Sequence, residues 1–266
     1  MNAVEVIQGN SPIVLGLPHT GTLVSDNILS CLNQRGQGLD DTDWHIHTLY
    51  DGLLEGATSV RATFHRYVID ANRDPSGASL YPGQNTTGLI PLTDFDGQDI
   101  WTTPPTADEI EARRQQFHAP YHVALEAELE RVRNLHGVAI LYDCHSIRSD
   151  IPYLFEGILP DFNIGTNLGV TCSSEIESTT LEICEQASGY SSILNGRFKG
   201  GWTTRHYGQP DKNIHVIQME LAQSTYLKSQ SAPWEYDHSR AAHLRPHLSR
   251  ILNALADLAP KLGASR

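Results

Sequence analysis

His19, Asp43 and His145 are two imidazoles and a carboxylate, separated by long stretches of chain. A catalytic zinc site takes three such protein ligands and keeps a fourth position for water. These ligands share no local motif such as the helical HExxH pair, so everything rests on which elements end where. Asp41, His45 and His47 flank Asp43 and offer the same donor chemistry. Asp43 also suits the cap of a following helix, and Asp143 suits an outer carboxylate that orients a ligating imidazole.

Two further stretches suit an anionic ligand. Asn72 and Arg73, within Asp70-Ala71-Asn72-Arg73-Asp74-Pro75, set a neutral amide beside a planar guanidinium, a pair that matches a carboxylate. The same residues also fit a turn in which Arg73 pairs with Asp70 or Asp74. Residues 196–208, GRFKGGWTTRHYG, are cationic, aromatic and glycine-rich in an otherwise acidic chain. They lack the GxxxxGK[ST] phosphate loop, which leaves an anion-binding loop or a surface hairpin. Ser146 has no GxSxG context, and Cys144 has no activating neighbour in sequence, so neither reads as a nucleophile.

The elements must deliver these groups to one place. The apolar run from Pro12 to Leu17, stopped by Pro18, predicts a buried strand with His19 just past its end. Val138–Tyr142 predicts a second strand that delivers Asp143 and His145, and Ile214–Leu221 a third that carries Glu220 near its end. Thr42–Glu55 reads as a helix, Thr58–Phe64 and Arg66–Asp70 as strands, and Tyr190–Leu194 as another strand. Thr106 and Glu109 form a capping box, followed by apolar residues at helical spacing from Ile110 to Leu135 that Pro120 should bend. Helices are also predicted over Ser174–Ala187 and along Leu244, Leu248, Ile251, Leu255 and Leu258. Between them, 76–103 is a long Gly-, Pro-, Thr- and Asp-rich loop, suited to a lid or wall. Alternating strands and helices predict a three-layer α/β fold, a mostly parallel mixed sheet with helices on both faces. Ligands of such sheets bind beyond the strand C-termini, where His19, Asp143, His145 and Glu220 fall.

Thirty-one acidic against 19 basic residues give a net charge of −12, which argues against nucleic acid or an anionic membrane as a partner. A small anionic substrate would need local arginines to hold it. No linker or repeat divides the 266 residues, so a single catalytic domain is expected, and a homo-oligomer is left open. Four unpaired-looking cysteines and no leader or spanning segment suggest a soluble, cytoplasmic protein with reduced thiols.

Taken together, PHTG (18–21), DTDWHIHTLYD (41–51), DANRDPSGASLYPGQNTTGL (70–89), DCHS (143–146), NGRFKGGWTTRHYGQP (195–210) and QMELAQSTYL (218–227) resemble the N-formylglutamate amidohydrolase family, in its order and along nearly the whole chain. The resemblance implies a fold similar to zinc-dependent exopeptidases. It also implies one divalent metal, zinc, on His19, Asp43 and His145. Zinc carboxypeptidases take their first two ligands from HxxE, but position 22 is Thr here, so the acidic ligand is drawn from elsewhere, with Asp43 the choice. Glu220 then maps onto the general base. Asn72 and Arg73 map onto the carboxylate clamp, with Arg73 or His206 also a donor to the oxyanion. The second substrate carboxylate is assigned to Arg205 and Arg148. The implied reaction is hydrolysis of N-formylglutamate to formate and glutamate, as in histidine degradation. Another N-acyl amino acid or peptidoglycan amide hydrolase on the same metal core, and a non-catalytic metal- or anion-binding protein, are the alternatives.

Overall fold

The computed structural model describes residues 2–79 and 83–263. Its seven strands are β1 Val4–Ile7, β2 Ile13–Leu17, β3 Thr58–Ala62, β4 Ala139–Ile147, β5 Phe162–Gly165, β6 Ser192–Leu194 and β7 Ile214–Ala222. They form one sheet in the order β1-β3-β2-β4-β7-β5-β6. The central β3, β2, β4 and β7 run parallel, while β1 is antiparallel to β3 and β5 antiparallel to β7. Every residue of β2, β4 and β7 is buried, which explains why these segments read as continuous apolar runs without alternation.

The α-helices are α1 Asp26–Leu29, α2 Ile46–Tyr50, α3 Ala107–Arg113, α4 Ala119–His136, α5 Ser174–Glu185, α6 Trp202–Tyr207 and α7 His238–Gly263. One face of the sheet packs on α2, α5 and α7 through Ile140, Tyr142, Ile217, Ile176, Leu248 and Leu252. The other packs on α4 through Val14, Leu141, Val216, Tyr121, Leu125 and Leu129. This is the expected three-layer α/β architecture.

Several local expectations are corrected. Arg66–Asp70 is a turn and not a strand. Its backbone is committed locally, with Val68 N–H donating to the His65 carbonyl, 2.9 Å. The helix expected over Thr42–Glu55 shrinks to α2, because His45 adopts φ 58 at its start and Asp51 turns the chain out at its end. The strand ending at Tyr142 runs on to Ile147, so Asp143 and His145 lie within β4 and not after it. Strands β1 and β5 and helices α1 and α6 were not expected. The capping box of α3 is present. A π-helical turn over Arg114–His118 interrupts the long helix just before Pro120, which stands in the first turn of α4.

Candidate active site

Two registers build the site. Gly16 of β2 is level with Asp143 of β4, so the Pro18 turn beyond β2 brings His19 toward the far end of β4. In the next pair, His145 of β4 is directly level with Glu220 of β7, and Asp143 with Gln218. Strand alternation turns Asp143 and His145 to one side and Cys144 into the apolar core on the other. Burial pushes the Cys144 thiol well up, which removes it as a nucleophile.

Asp43 joins through its backbone, whose N–H donates to the His19 carbonyl, 3.0 Å. His19, Asp43 and His145 thus each offer one ligand atom within 4.8 Å of the others, and all three are buried. Asp43 Oδ2 lies 3.2 Å from His145 Nδ1 and 3.9 Å from His19 Nδ1, and accepts the Ser146 N–H at 3.2 Å. On its far side, His19 Nε2 meets Asp70 Oδ1 at 2.7 Å. Asp70 Oδ2 in turn accepts from Arg66 Nη2 at 2.6 Å. His145 Nε2 lies 3.1 Å from Asp143 Oδ1, an oxygen with no well-aligned hydrogen bond, while Asp143 Oδ2 accepts from Thr204 Oγ1 at 3.0 Å. Both imidazoles therefore turn Nδ1 toward Asp43. His19 bonds a buried aspartate through Nε2, the outer arrangement that orients metal-ligating histidines, whereas His145 Nε2 lies 3.2 Å from Asn72 Nδ2 with Asp143 beside it.

The electrostatics fit a cation. Asp43, Asp70, Asp143 and Glu220 are all buried, and among them Arg66 is the fully buried permanent cation. Burial, aided by Arg66, lowers His19 and favours its neutral, ligating form. Burial opposes ionisation of Asp70, yet Arg66, His19 and Arg73 hold it well below the usual carboxylate range. His145 is also buried, but Asp143 and Asp43 hold it well above its ordinary value, so this ring draws a proton where a cation would otherwise balance the carboxylates. Burial pushes Glu220 up to about 8. A donor set of two imidazole nitrogens and one carboxylate oxygen is suited to zinc.

The remaining wall explains what these groups face. One cavity is lined by His19, Asp43, His145 and Glu220 together with Asn72 and Arg73. The 76–103 loop walls it with Asn85, Thr86, Thr87 and Phe95. Arg73 is tied to that wall, donating from Nε to the Thr87 carbonyl (2.8 Å) and from Nη2 to Thr87 Oγ1 (2.9 Å). Asp70 is its more distant partner, at 3.9 Å. Asp41 faces elsewhere, accepting the Phe95 N–H at 3.0 Å, and His45 Nε2 donates to the Trp234 carbonyl at 2.8 Å.

Arg205, His206 and Arg148 do not line this cavity. Arg205 donates to the Gly200 carbonyl, His206 is exposed and stacks on Trp202, and Arg148 pairs with Asp96 at 2.9 Å. Their places on the wall are taken by Arg197 and Arg66, which sequence reasoning did not single out as site residues. Arg197 sits in the glycine-rich segment that was noticed. Arg205, the residue assigned to the second carboxylate, lies on the unexpected α6, which directs it to the Gly200 carbonyl instead.

The model of the N-formylglutamate amidohydrolase family matches residues 11–227. The chain belongs to this family. An N-formylglutamate deformylase of Pseudomonas putida is 44% identical over 251 residues, covering 93% of each chain. One of Pseudomonas aeruginosa is 42% identical over 251 residues, covering 93% of this chain and 94% of its own. Solved structures share the fold: an N-formylglutamate amidohydrolase from Ralstonia eutropha JMP134 superposes with TM-score 0.81 at 22% identity, covering 98% of this chain and 99% of its own. A gene product from Agrobacterium tumefaciens gives 0.66 at 18% identity, covering 97% and 96%. Within this N-formylglutamate amidohydrolase family member, no described helix is long and apolar enough to cross a membrane.

One glycine on the wall is needed for space. A Cβ on Gly201 would lie 2.3 Å from Asn72 Nδ2 and 2.6 Å from its Oδ1. Gly201→Ala should displace the Asn72 amide and cost about 1–3 kcal/mol, the usual penalty of overpacking. A chemical-denaturation midpoint that stays at the wild-type value would contradict this.

Proposed function

We propose that the chain hydrolyses the formyl amide of N-formyl-L-glutamate to formate and L-glutamate, as in histidine degradation, using one zinc ion. The observation that carries this reading is the meeting of His19, Asp43 and His145 with Glu220 in one cavity that also presents Asn72 and Arg73. The deformylase relatives support the choice of substrate.

His19, Asp43 and His145 would hold the ion, and when bound it supplies Lewis acidity and lowers the pKa of water at the site. Glu220, the neighbour of His145 across the strand pair, takes the proton from the attacking water and later gives it to the departing glutamate nitrogen. Its burial, which raises it to about 8, makes the ionised carboxylate a stronger base than an exposed one, and a cation held beside it would favour that ionised form near neutrality. Asn72 and Arg73 bind one substrate carboxylate, and Arg197 replaces Arg205 and Arg148 as the group for the second. Phe95, Thr87 and the rest of the loop wall limit water at the reacting bond.

The test is a panel of amides given to the zinc-loaded protein. N-formylglutamate should exceed N-acetylglutamate, N-succinylglutamate and N-formylaspartate in kcat/KM by about 10²-fold or more, because both the acyl pocket and the spacing of two cationic groups discriminate. Preferred turnover of a bulkier acyl group would instead make this a different N-acyl amino acid hydrolase. No turnover of any of them would leave a binding protein.

A further inference from the structure

Two histidines outside the cavity lining bear on the Asn72–Arg73 pair. His118 and His122 lie one helical turn apart on α4 and its π-helical turn, and both are buried, at 2% and 9% exposure. His122 Nε2 lies 2.8 Å from the Ala71 carbonyl, and His118 Nε2 lies 3.0 Å from the Arg73 carbonyl. A carbonyl only accepts, so each ring donates from Nε2. The two bonds therefore grip the backbone on either side of Asn72.

The rest of the grip comes from the opposite side. Asn72 N–H donates to Asp70 Oδ1 at 2.8 Å, and Asn72 Oδ1 accepts the Thr203 N–H of α6 at 2.8 Å. Trp202, the first residue of α6, packs edge-on against His122 with ring centroids 4.7 Å apart and lies 5.8 Å from His118. Tyr207 at the end of α6 places its hydroxyl 3.0 Å from His122 Nδ1. Burial lowers His118 and pushes His122 down to about 3, so both rings are neutral. A neutral ring that donates from Nε2 must accept at Nδ1, and in His122 the Tyr207 hydroxyl fills that role.

We propose that His118 and His122 are positioning residues for substrate binding: they clamp the Ala71 and Arg73 carbonyls and so fix the direction in which Asn72 and Arg73 present their amide and guanidinium to a substrate carboxylate. This rests on the reading of Asn72 and Arg73 as the carboxylate clamp. The placement of the π-helical turn supports a positioning role, since it sets His118 on the turn immediately before His122, facing the same short segment. A bidentate contact tolerates little angular error, so slack in this backbone weakens binding more than it slows the chemical step.

The experiment compares His118→Ala and His122→Ala with His118→Gln and His122→Gln in the zinc-loaded protein, with Arg73→Lys in parallel. Steady-state constants for N-formylglutamate, metal content and denaturation midpoint are measured for each. Glutamine carries an amide N–H at nearly the reach of Nε2. Each alanine variant should raise KM by about tenfold, equivalent to about 1.4 kcal/mol of binding, with kcat within about threefold of wild type and metal content unchanged. Each glutamine variant should recover most of the KM. A KM unmoved in the alanine variants while Arg73→Lys raises it would overturn the clamp alone. Equal falls in kcat and stability without rescue by glutamine would also overturn it, reducing the pair to structural hydrogen bonds. An unmoved KM in Arg73→Lys would overturn both the clamp and the reading beneath it.

Discussion

Glu220→Gln is expected to lower kcat on N-formylglutamate by about 10³-fold while the protein keeps its metal and its fold, the range found when a positioned acid or base is removed. The substitution is nearly isosteric and keeps an oxygen to accept from Gln218 Nε2, now 3.3 Å from Glu220 Oε2. What it removes is the capacity to take up and return a proton. The same group sets the acid limb of the rate. Burial raises it to about 8, and a cation nearby lowers it from there, so activity should rise with pH through a midpoint no higher than about 8. Below that midpoint Glu220 is protonated and cannot accept. The residual rate of Glu220→Gln should lack this limb. A variant that retains more than a tenth of kcat, or shows the same acid limb, would remove Glu220 from the proton path.

How much of this was readable from residues depends on which physical signal each part leaves. Strands β2, β4 and β7 are buried on both faces, so their apolar runs announced them, and with them the sites of His19, His145 and Glu220. The capping box of α3 was equally plain. By contrast, β1 lies at a sheet edge with partly exposed residues, and such a short edge strand leaves no strong period. Arg66–Asp70 carries β-branched and aromatic residues yet forms a turn. Its Asp70 is held from several directions at once, by His19, Arg66 and the Asn72 N–H, and such tertiary partners override local propensity. The second arginine failed for a related reason. In GRFKGGWTTRHYG the choice between Arg197 and Arg205 turns on where α6 begins, and its start after Gly201 is set by contacts with Gln218 and Asn72 from distant segments. The histidines at 118 and 122 look like ordinary helix residues until the fold places two carbonyls against them.

Asp43→Asn supplies the second large effect and decides among the acids at 41–43. Sequence alone left Asp41, His45 and His47 as substitutes, but the structure gives Asp41 and His45 other work, on the Phe95 N–H and the Trp234 carbonyl. Asp43 alone of the four stands with His19 and His145, its Oδ2 directed at both inner nitrogens. An amide in its place offers a weaker neutral oxygen and removes one negative charge from the donor set. Metal affinity should then fall by more than the roughly 10- to 100-fold that loss of an outer-shell partner costs, with activity restored in part by excess zinc. Asp41→Asn should keep the metal, since that carboxyl, raised to about 7 by burial, already works partly as a neutral hydrogen-bonding group. Metal content measured after dialysis against a weak chelator separates the two. Should Asp41→Asn lose the ion and Asp43→Asn retain it, the acidic ligand has been misassigned. The inward nitrogens of His19 and His145 would then need a different partner to complete the site.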